Sequence, residues 1–294
     1  MTGGTGFLGS ALVKQARASG HETLSLDADP RADIVCDVAD PAAFAAAVAA
    51  TQPRAIVHLA AHLTTAADDD PLEAVRVNAL GTAALFVAAE RAGVERIVYA
   101  SSNAAVGPCP QGSGDATPLD PRSIYGVTKA FGEQLARAMS TRPGAPRYLA
   151  LRFGWVYGPG RRRGWRDVQQ VIEQVIAGER HVRYPDLDAA IDWTWVDDAA
   201  AALVQSVERR LPTFAALNVV GDRRLVRDAF AHLQRRYPDL VSEPMTAETP
   251  PSGWGLVNDR IFSLLGAVPT TRLEQGLDRM IAAAATVQRN VESP

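Results

Sequence analysis

At 294 residues the chain is long enough to bury a full core, either as one large domain or as a nucleotide-binding domain with a smaller cap. Hydrophobic residues make up 47% and charged residues 21%, the balance of a globular protein, and a formal net charge of -3 offers no broad cationic surface, so neither nucleic acid nor a membrane is an expected partner. Cys36 and Cys109 are the only cysteines and have no metal-ligand spacing, which leaves no disulfide framework and no zinc site and makes a reducing cytoplasm the natural compartment. No apolar run is read as approaching the roughly 20 residues that span a bilayer, and the first residues carry no signal-peptide pattern.

In chain order, a glycine-rich turn over residues 3–9 opens a helix over 10–18. Strands are expected at 21–26 and 33–35, a helix at 41–50, a strand at 55–59, a long helix at 71–92 and a strand at 96–100. A helix at 123–140, a strand at 148–153, a helix at 168–177 and a strand at 217–220 follow. Short β-branched runs alternating with Ala-rich helices imply an α/β fold, a doubly wound parallel sheet with right-handed crossovers. The rhythm changes after Gly158, and the remainder reads as helix-rich, with a Pro-rich break at 249–252 and an Ala-rich tail helix around 281–285. Residues 1–156 and 193–223 are assigned to a nucleotide-binding domain, and 157–192 and 224–294 to a smaller C-terminal substrate lobe. One conflict stands out: only Met1 and Thr2 precede the glycine turn, where such a fold places a central strand of about five residues, so the first strand reads as missing or truncated. A β-branched segment added before Met1 is expected to raise the melting temperature.

The run Thr2-Gly-Gly-Thr-Gly-Phe-Leu-Gly9 has glycines at positions 3, 6 and 9, a spacing that brings backbone amides close to a pyrophosphate at a helix start. Alone it is equally a plain turn. Asp27, about twenty residues on, ends a strand where a carboxylate accepts hydrogen bonds from ribose hydroxyls and repels a 2′-phosphate, which favours NAD over NADP. Asp37 and Val38, after the next strand, are placed at the adenine edge, with an ordinary turn as the alternative. The strongest local signal is Tyr125-Gly-Val-Thr-Lys129 at a helix start, because a spacing of four puts phenol and ammonium on one helical face. Lys129 is expected to lower the phenol's pKa, so that Tyr125 can exchange a proton with a substrate oxygen while hydride moves to or from nicotinamide.

Taken together, Gly3 to Gly9, His58-Leu-Ala-Ala61, Asn78 in Val77-Asn-Ala-Leu-Gly-Thr82, Ser101-Ser102, Tyr125 to Lys129, Arg152 with Tyr157-Gly-Pro159, and Trp193-Thr-Trp-Val-Asp-Asp198 resemble the NAD-dependent epimerase/dehydratase family of extended short-chain dehydrogenases over nearly the whole chain. The resemblance implies that Ser102 hydrogen-bonds the substrate oxygen, Tyr125 is the acid/base and Lys129 also holds the nicotinamide ribose. It implies cofactor contacts from Gly3, Thr5, Gly6, Phe7, Leu8, Leu59, Ala60, Ala61 and Ala100, support of the catalytic helix by Asn78, and a homodimer through the helices at 71–92 and 123–140. Alignment on Val106 instead puts Asn103 at the hydroxyl position; Ser102 is preferred because catalysis needs a hydroxyl and Ser101-Ser-Asn resembles the run in uronate dehydrogenases.

Departures from the family pattern bear on the substrate. Asn103 and Ala104 replace the acidic pair of sugar-nucleotide dehydratases. Trp155 stands where many epimerases have Asn, and Ile191 where they have Arg, which weakens the case for a nucleotide sugar. Asn103, Trp155 and Arg162 are assigned to the substrate. The basic run Arg161, Arg162, Arg163 and Arg166 reads either as an anion site or as a solvated loop. His58 and His62 read as structural, with no metal expected. The expected activity is hydride transfer at a secondary alcohol of a sugar or nucleotide sugar, ending in epimerisation, or the dehydrogenation of a free sugar or sugar acid. A non-catalytic NAD sensor is the contrasting reading, and the Tyr125–Lys129 pair speaks against it.

Overall fold

The computed structural model describes residues 1–250 and 252–292. Pro251, inside the expected Pro-rich break, and residues 293–294, at the end of the expected lobe, lie outside the described residues.

The first half alternates as the sequence pattern predicts: α1 (Phe7–Ala18), β1 (Leu26–Asp27), β2 (Ile34–Val35), α2 (Pro41–Thr51), β3 (Ala55–His58), α3 (Thr64–Asp69) and α4 (Pro71–Ala74). A π-helical turn, Val75–Leu80, joins α4 to α5 (Gly81–Arg91), and β4 (Arg96–Ser102), α6 (Ile124–Met139) and β5 (Arg147–Phe153) follow. Next come β6 (Trp155–Tyr157), α7 (Asp167–Ile176), β7 (His181–Leu187), β8 (Ile191–Trp195), α8 (Val196–Glu208), β9 (Phe214–Val219) and β10 (Asp222–Arg224). The chain ends with α9 (Val226–Arg236), β11 (Val241–Ala247), α10 (Ile261–Leu265) and α11 (Leu273–Glu292).

β3, β4, β5 and β9 form a parallel sheet in that order, and β1 and β2 form a parallel pair beside it. Thr2 bridges the two groups as a single residue, paired in parallel with Leu26 on one side and His58 on the other. Its amide donates to Val57 O at 3.0 Å, and Leu59 donates back to Thr2 O at 3.2 Å. With one bridging residue alongside it, the expected strand at 21–26 shrinks to Leu26–Asp27.

Period-two alternation sends the strands' apolar side chains to opposite faces of the sheet. Val98, Leu149 and Leu151 pack on α1 and α8, whereas Ile97, Tyr99 and Tyr148 pack on α2, α5 and α6. A third apolar cluster lies beyond the strands' C-terminal ends. It joins α7, α9, α11, β7 and the aromatic strands β6 and β8, and Phe7 and Leu8 of the glycine turn pack against it. Here the helix-rich expectation needs correction. β8 pairs with both β6 and β10, and β7 pairs in parallel with β11 over seven residues.

The expectation about apolar length also needs correction. Pro71–Arg91 is a 21-residue helix whose most apolar 18-residue window has mean hydropathy 1.4, long and apolar enough by length and composition to cross a bilayer. It is a packed helix of the fold: Leu85, Phe86 and Ala89 are fully buried against the sheet cluster.

Candidate active site

The glycine turn forms a cradle that fits the diphosphate of a dinucleotide. Gly3 has φ +68°, and a Cβ there would stand 2.7 Å from the Ala60 amide nitrogen. A Cβ on Gly9 would stand 2.0 Å from Gly3 O, so the first turn of α1 can close onto the loop only without a side chain. α1 starts after Gly6 with no side-chain cap and no acidic residue in its first turn, which leaves its amides available to an anion. Gly9→Ala is therefore expected to abolish measurable NAD binding or folding, as read by fluorescence titration and a melting curve.

Asp27 closes the cradle on one side: its Oδ2 accepts from the Thr5 amide at 3.2 Å and the Thr5 hydroxyl at 2.7 Å. Asp37 is ion-paired with Arg76 at 2.7 Å, and buried Val38 packs under Gly81. Leu59, Ala60 and Ala61 follow β3 as a half-buried segment, with the Ala60 amide donating to Thr2 Oγ1 at 3.3 Å.

Tyr125 lies at the start of α6, whose N-cap Ser123 accepts from the Gly126 amide at 3.1 Å. The phenol faces Ser102, the last residue of β4, and Lys129 comes from the next turn of the helix. Burial pushes the Tyr125 pKa up to about 12, while a hydrogen bond with the Ser102 hydroxyl and the charge of Arg161 act in the opposite direction. Tyr125 is half-buried and Lys129 buried, and desolvation brings the Lys129 pKa down to about 7. Its ammonium donates to Ala100 O at 2.7 Å and lies 5.5 Å from the centroid of the Tyr125 ring. Burial dominates the phenol's titration, and the Lys129 ammonium stands beside its ring while held by the Ala100 carbonyl.

Adjacent Ser101 and Ser102 point to opposite sides of β4 and have different partners. The Ser101 hydroxyl donates to Glu133 Oε1 at 2.5 Å, and Glu133 is gripped by Arg152 of β5 through Nε and Nη2, the latter at 2.8 Å. Both ion-pair side chains are only 3% exposed, and Arg152 also donates to Asp115 O at 3.0 Å. Glu133 was not singled out from the sequence, although the spacing Tyr125, Lys129, Glu133 continues one helical face and would have pointed to it.

Asn78 ties the site to its surroundings from the π-turn. Its Oδ1 accepts from the His62 amide at 2.6 Å, and its Nδ2 donates to His62 O and to Thr128 Oγ1 of α6 at 2.9 and 3.0 Å. His58 is structural. The Thr82 hydroxyl donates to Asn78 O, so His58 Nε2 is the donor to Thr82, and Nδ1 accepts from Thr2. Burial holds His58 neutral, its pKa brought down to about 3. Among the described residues no set of three His, Cys, Asp or Glu side chains gathers to hold a metal ion.

Of the residues expected at the substrate, Asn103 is buried, and its Oδ1 accepts from the Ser102 hydroxyl at 3.3 Å while its Nδ2 has no partner. Trp155 is 4% exposed and stacks on Tyr157, with Trp193 edge-on at 4.8 Å. The arginine run divides by direction: Arg162 and Arg163 are exposed, Arg166 pairs with Glu173 at 2.5 Å, and Arg161 turns inward over the Trp155 ring at 5.4 Å. Behind this wall, Asp192 is fully buried; burial raises its pKa to about 7 against the pull of Arg223.

The model of the NAD dependent epimerase/dehydratase family matches residues 1–219. The chain belongs to this family. Its members are NAD-dependent enzymes, and NAD is the cofactor that the glycine cradle and Asp27 fit. Among curated relatives, a 3-diazoavenalumate denitrifying reductase from a Streptomyces species is 30% identical over 92% of this chain and 95% of its own length. A UDP-glucose 4-epimerase from Mycolicibacterium smegmatis is 30% identical over 70% of this chain and 72% of its own. Among solved structures, MoeE5 in complex with UDP-glucuronic acid and NAD is similar with TM-score 0.82 and 30% identity, covering 97% of this chain and 98% of that one. The family match thus covers residues 1–219, while the relatives that extend beyond it differ in reaction and substrate.

Proposed function

We propose that this family member catalyses reversible hydride transfer at a secondary alcohol carbon of a sugar or nucleotide sugar, with Tyr125 as acid/base and Ser102 holding the reacting oxygen. The observation that carries the reading is that Tyr125 and the buried Lys129 share one face of α6, the ammonium 5.5 Å from the phenol ring, while of the two serines ending β4 Ser101 is committed to Glu133 and Ser102 is not. In the oxidising direction Tyr125, as phenolate, takes the hydroxyl proton from the substrate, and in the reducing direction it returns it. Ser102 donates to the substrate oxygen and fixes its distance from the phenol. Lys129, with a pKa near neutrality, supplies positive charge beside the phenol when protonated. NAD, when bound, supplies the hydride acceptor and a positive ring that favours phenolate. Gly3, Thr5, Gly6, Phe7 and Leu8 would hold its diphosphate side, Asp27 the adenosine ribose, Asp37 and Val38 the adenine edge, and Leu59, Ala60, Ala61, Asn78 and Ala100 the inner wall.

Two outcomes share this step. If the keto product turns over within the site and is reduced on its other face, the enzyme is an isomerase; if it leaves, the enzyme is a dehydrogenase. A time course of reduced-nicotinamide absorbance with excess NAD and a panel of UDP-sugars, aldoses and uronic acids tests the reading. Steady accumulation identifies a dehydrogenase, and a new stereoisomer without accumulation identifies an epimerase. Neither with any sugar overturns the proposal.

The assembly we infer is a cytoplasmic homodimer. Leu72, Val75 and Leu80 are 83%, 51% and 49% exposed, and Val127 and Phe131 of the adjoining α6 are 54% and 41% exposed, an apolar face that a second copy would cover. Light scattering is expected to report twice the 31.4 kDa chain mass and Phe131→Glu to shift it toward one chain; a monomeric wild type is the contrary result.

A further inference from the structure

Lys129 is one of two lysines in a chain that otherwise draws its cations from arginine, and it is the one the fold buries; Lys14 is exposed on α1. Among the described residues its ammonium has a single hydrogen-bond acceptor, Ala100 O at 2.7 Å, and the nearby Glu133 carboxylate is taken by Arg152 and Ser101. One carbonyl leaves a buried ammonium with three donors short of compensation. Two aromatic faces supply it: Nζ lies 5.0 Å from the centroid of the Tyr99 ring and 5.5 Å from that of Tyr125. Tyr99 has no part in the proton transfer, yet its ring is gripped on every side. It is 2% exposed, edge-on to Phe86 at 6.1 Å between centroids and tilted against His58 at 5.8 Å, and its hydroxyl has no hydrogen-bond partner among the described residues. A Cβ on Gly132 would stand 2.4 Å from Tyr99 Cζ, so α6 can reach the ring only where a side chain is missing. Tyr99 and Ser101 leave the same face of β4, as Lys129 and Glu133 leave the same face of α6. Ring with ammonium and hydroxyl with carboxylate are thus two rungs of one contact.

We propose that Tyr99 is a positioning residue for the reaction, its ring face holding the Lys129 ammonium charged and in place beside the Tyr125 phenol. This rests on the catalytic reading above for what the charge then does, which is to favour phenolate as the substrate hydroxyl gives up its proton. A carboxylate in the place of the ring would cancel the charge that the phenol needs, whereas an aromatic face stabilises the cation and leaves its charge whole. Burial drives the ammonium toward its neutral form, with a pKa of about 7, and the ring works against that desolvation. The other titratable and charged groups around this point are Tyr125 and Glu133 of α6, His58 of β3 and Arg161 of the loop after β6. Glu133 is neutralised by Arg152, burial keeps His58 uncharged, and Arg161 acts on the phenol. Removing the ring face therefore lowers the Lys129 pKa further and takes positive charge from the phenol.

The test reads Lys129 directly in the full chain. Because Lys14 and Lys129 are the only lysines, labelling the lysine ε-carbon gives an NMR spectrum of two signals, which Lys129→Arg assigns. Tyr99→Phe, which keeps the ring face, is expected to leave the Lys129 titration where it is. Phenylalanine carrying two and then three ring fluorines at position 99 keeps the shape but drains the face of negative charge. It should lower the Lys129 pKa stepwise, by about one pH unit in all. Tyr99→Met, which fills the space without a ring, should match the most fluorinated protein. Turnover is followed by reduced-nicotinamide absorbance and stereoisomer analysis. The alkaline limb of the kcat/KM profile, where Lys129 loses its proton, should move to lower pH by the same interval, with melting temperatures close to that of Tyr99→Phe. A Lys129 titration that ignores fluorination overturns the proposal. So does a shift in Tyr99→Phe as large as in Tyr99→Met, which would give the role to the hydroxyl, and so does a kcat/KM limb that stays while the titration moves. A titration that follows fluorination in a protein that turns over no sugar would instead leave the hold of Tyr99 on Lys129 standing and remove the catalytic reading.

Discussion

Tyr125→Phe is expected to lower kcat by about 10²–10⁴-fold, because it removes the one hydroxyl placed to exchange a proton with the substrate oxygen held by Ser102. The ring itself stays, and so does its contact with Lys129, so the melting temperature and NAD affinity should remain close to wild type. Burial already holds the phenol at a pKa of about 12, and losing the hydroxyl leaves no buried charge behind. Ser102→Ala should act in the same direction, whereas Ser101→Ala should chiefly cost stability, since its hydroxyl serves Glu133. Retained turnover in Tyr125→Phe would sink the catalytic assignment and favour an NAD sensor.

The second large effect concerns stability. Glu133→Ala is expected to destabilise the fold by about 3–5 kcal/mol, because it strands the Arg152 guanidinium at 3% exposure and leaves Ser101 without its acceptor. The melting temperature should fall by on the order of 10 °C. Glu133→Gln keeps the volume and two hydrogen-bonding atoms but removes the charge, so it separates shape from electrostatics. Replacing Glu133 and Arg152 together with apolar residues of similar size should recover much of the loss, since the stranded charge goes with its partner. A drop in Glu133→Ala comparable to that of an exposed pair such as Arg54–Glu95 would show that water reaches the pair. Because Glu133 lies two turns beyond Tyr125 on α6, catalytic activity should fall along with stability.

What the amino-acid order determined by itself was contiguous chemistry. The glycine turn, Asp27 at a strand end, and the Tyr125–Lys129 face of one helix are local patterns, written by side-chain size and by the 3.6-residue period. The βαβ alternation was legible for the same reason, and each of its expected helices up to α7 exists within a few residues of its place. Tertiary structure alone decided what depends on distant partners. The strand at 21–26 shortened because a ladder needs a neighbour of equal length, and Thr2 provides one residue. Strands β6, β7, β8, β10 and β11 were unread because their pairing is non-local, and in β8 every residue is buried, which leaves no alternation to read. Composition marks Pro71–Arg91 as apolar without saying against what it packs; the sheet cluster supplies that. The same holds in the site. Nothing in consecutive arginines tells which one turns inward, because that choice is made by Trp155 and the Val156 carbonyl. Nor does a pair of adjacent serines announce which hydroxyl Glu133 will claim; that follows from the pleat of β4, which sends neighbouring side chains to opposite faces where the fold has placed different partners.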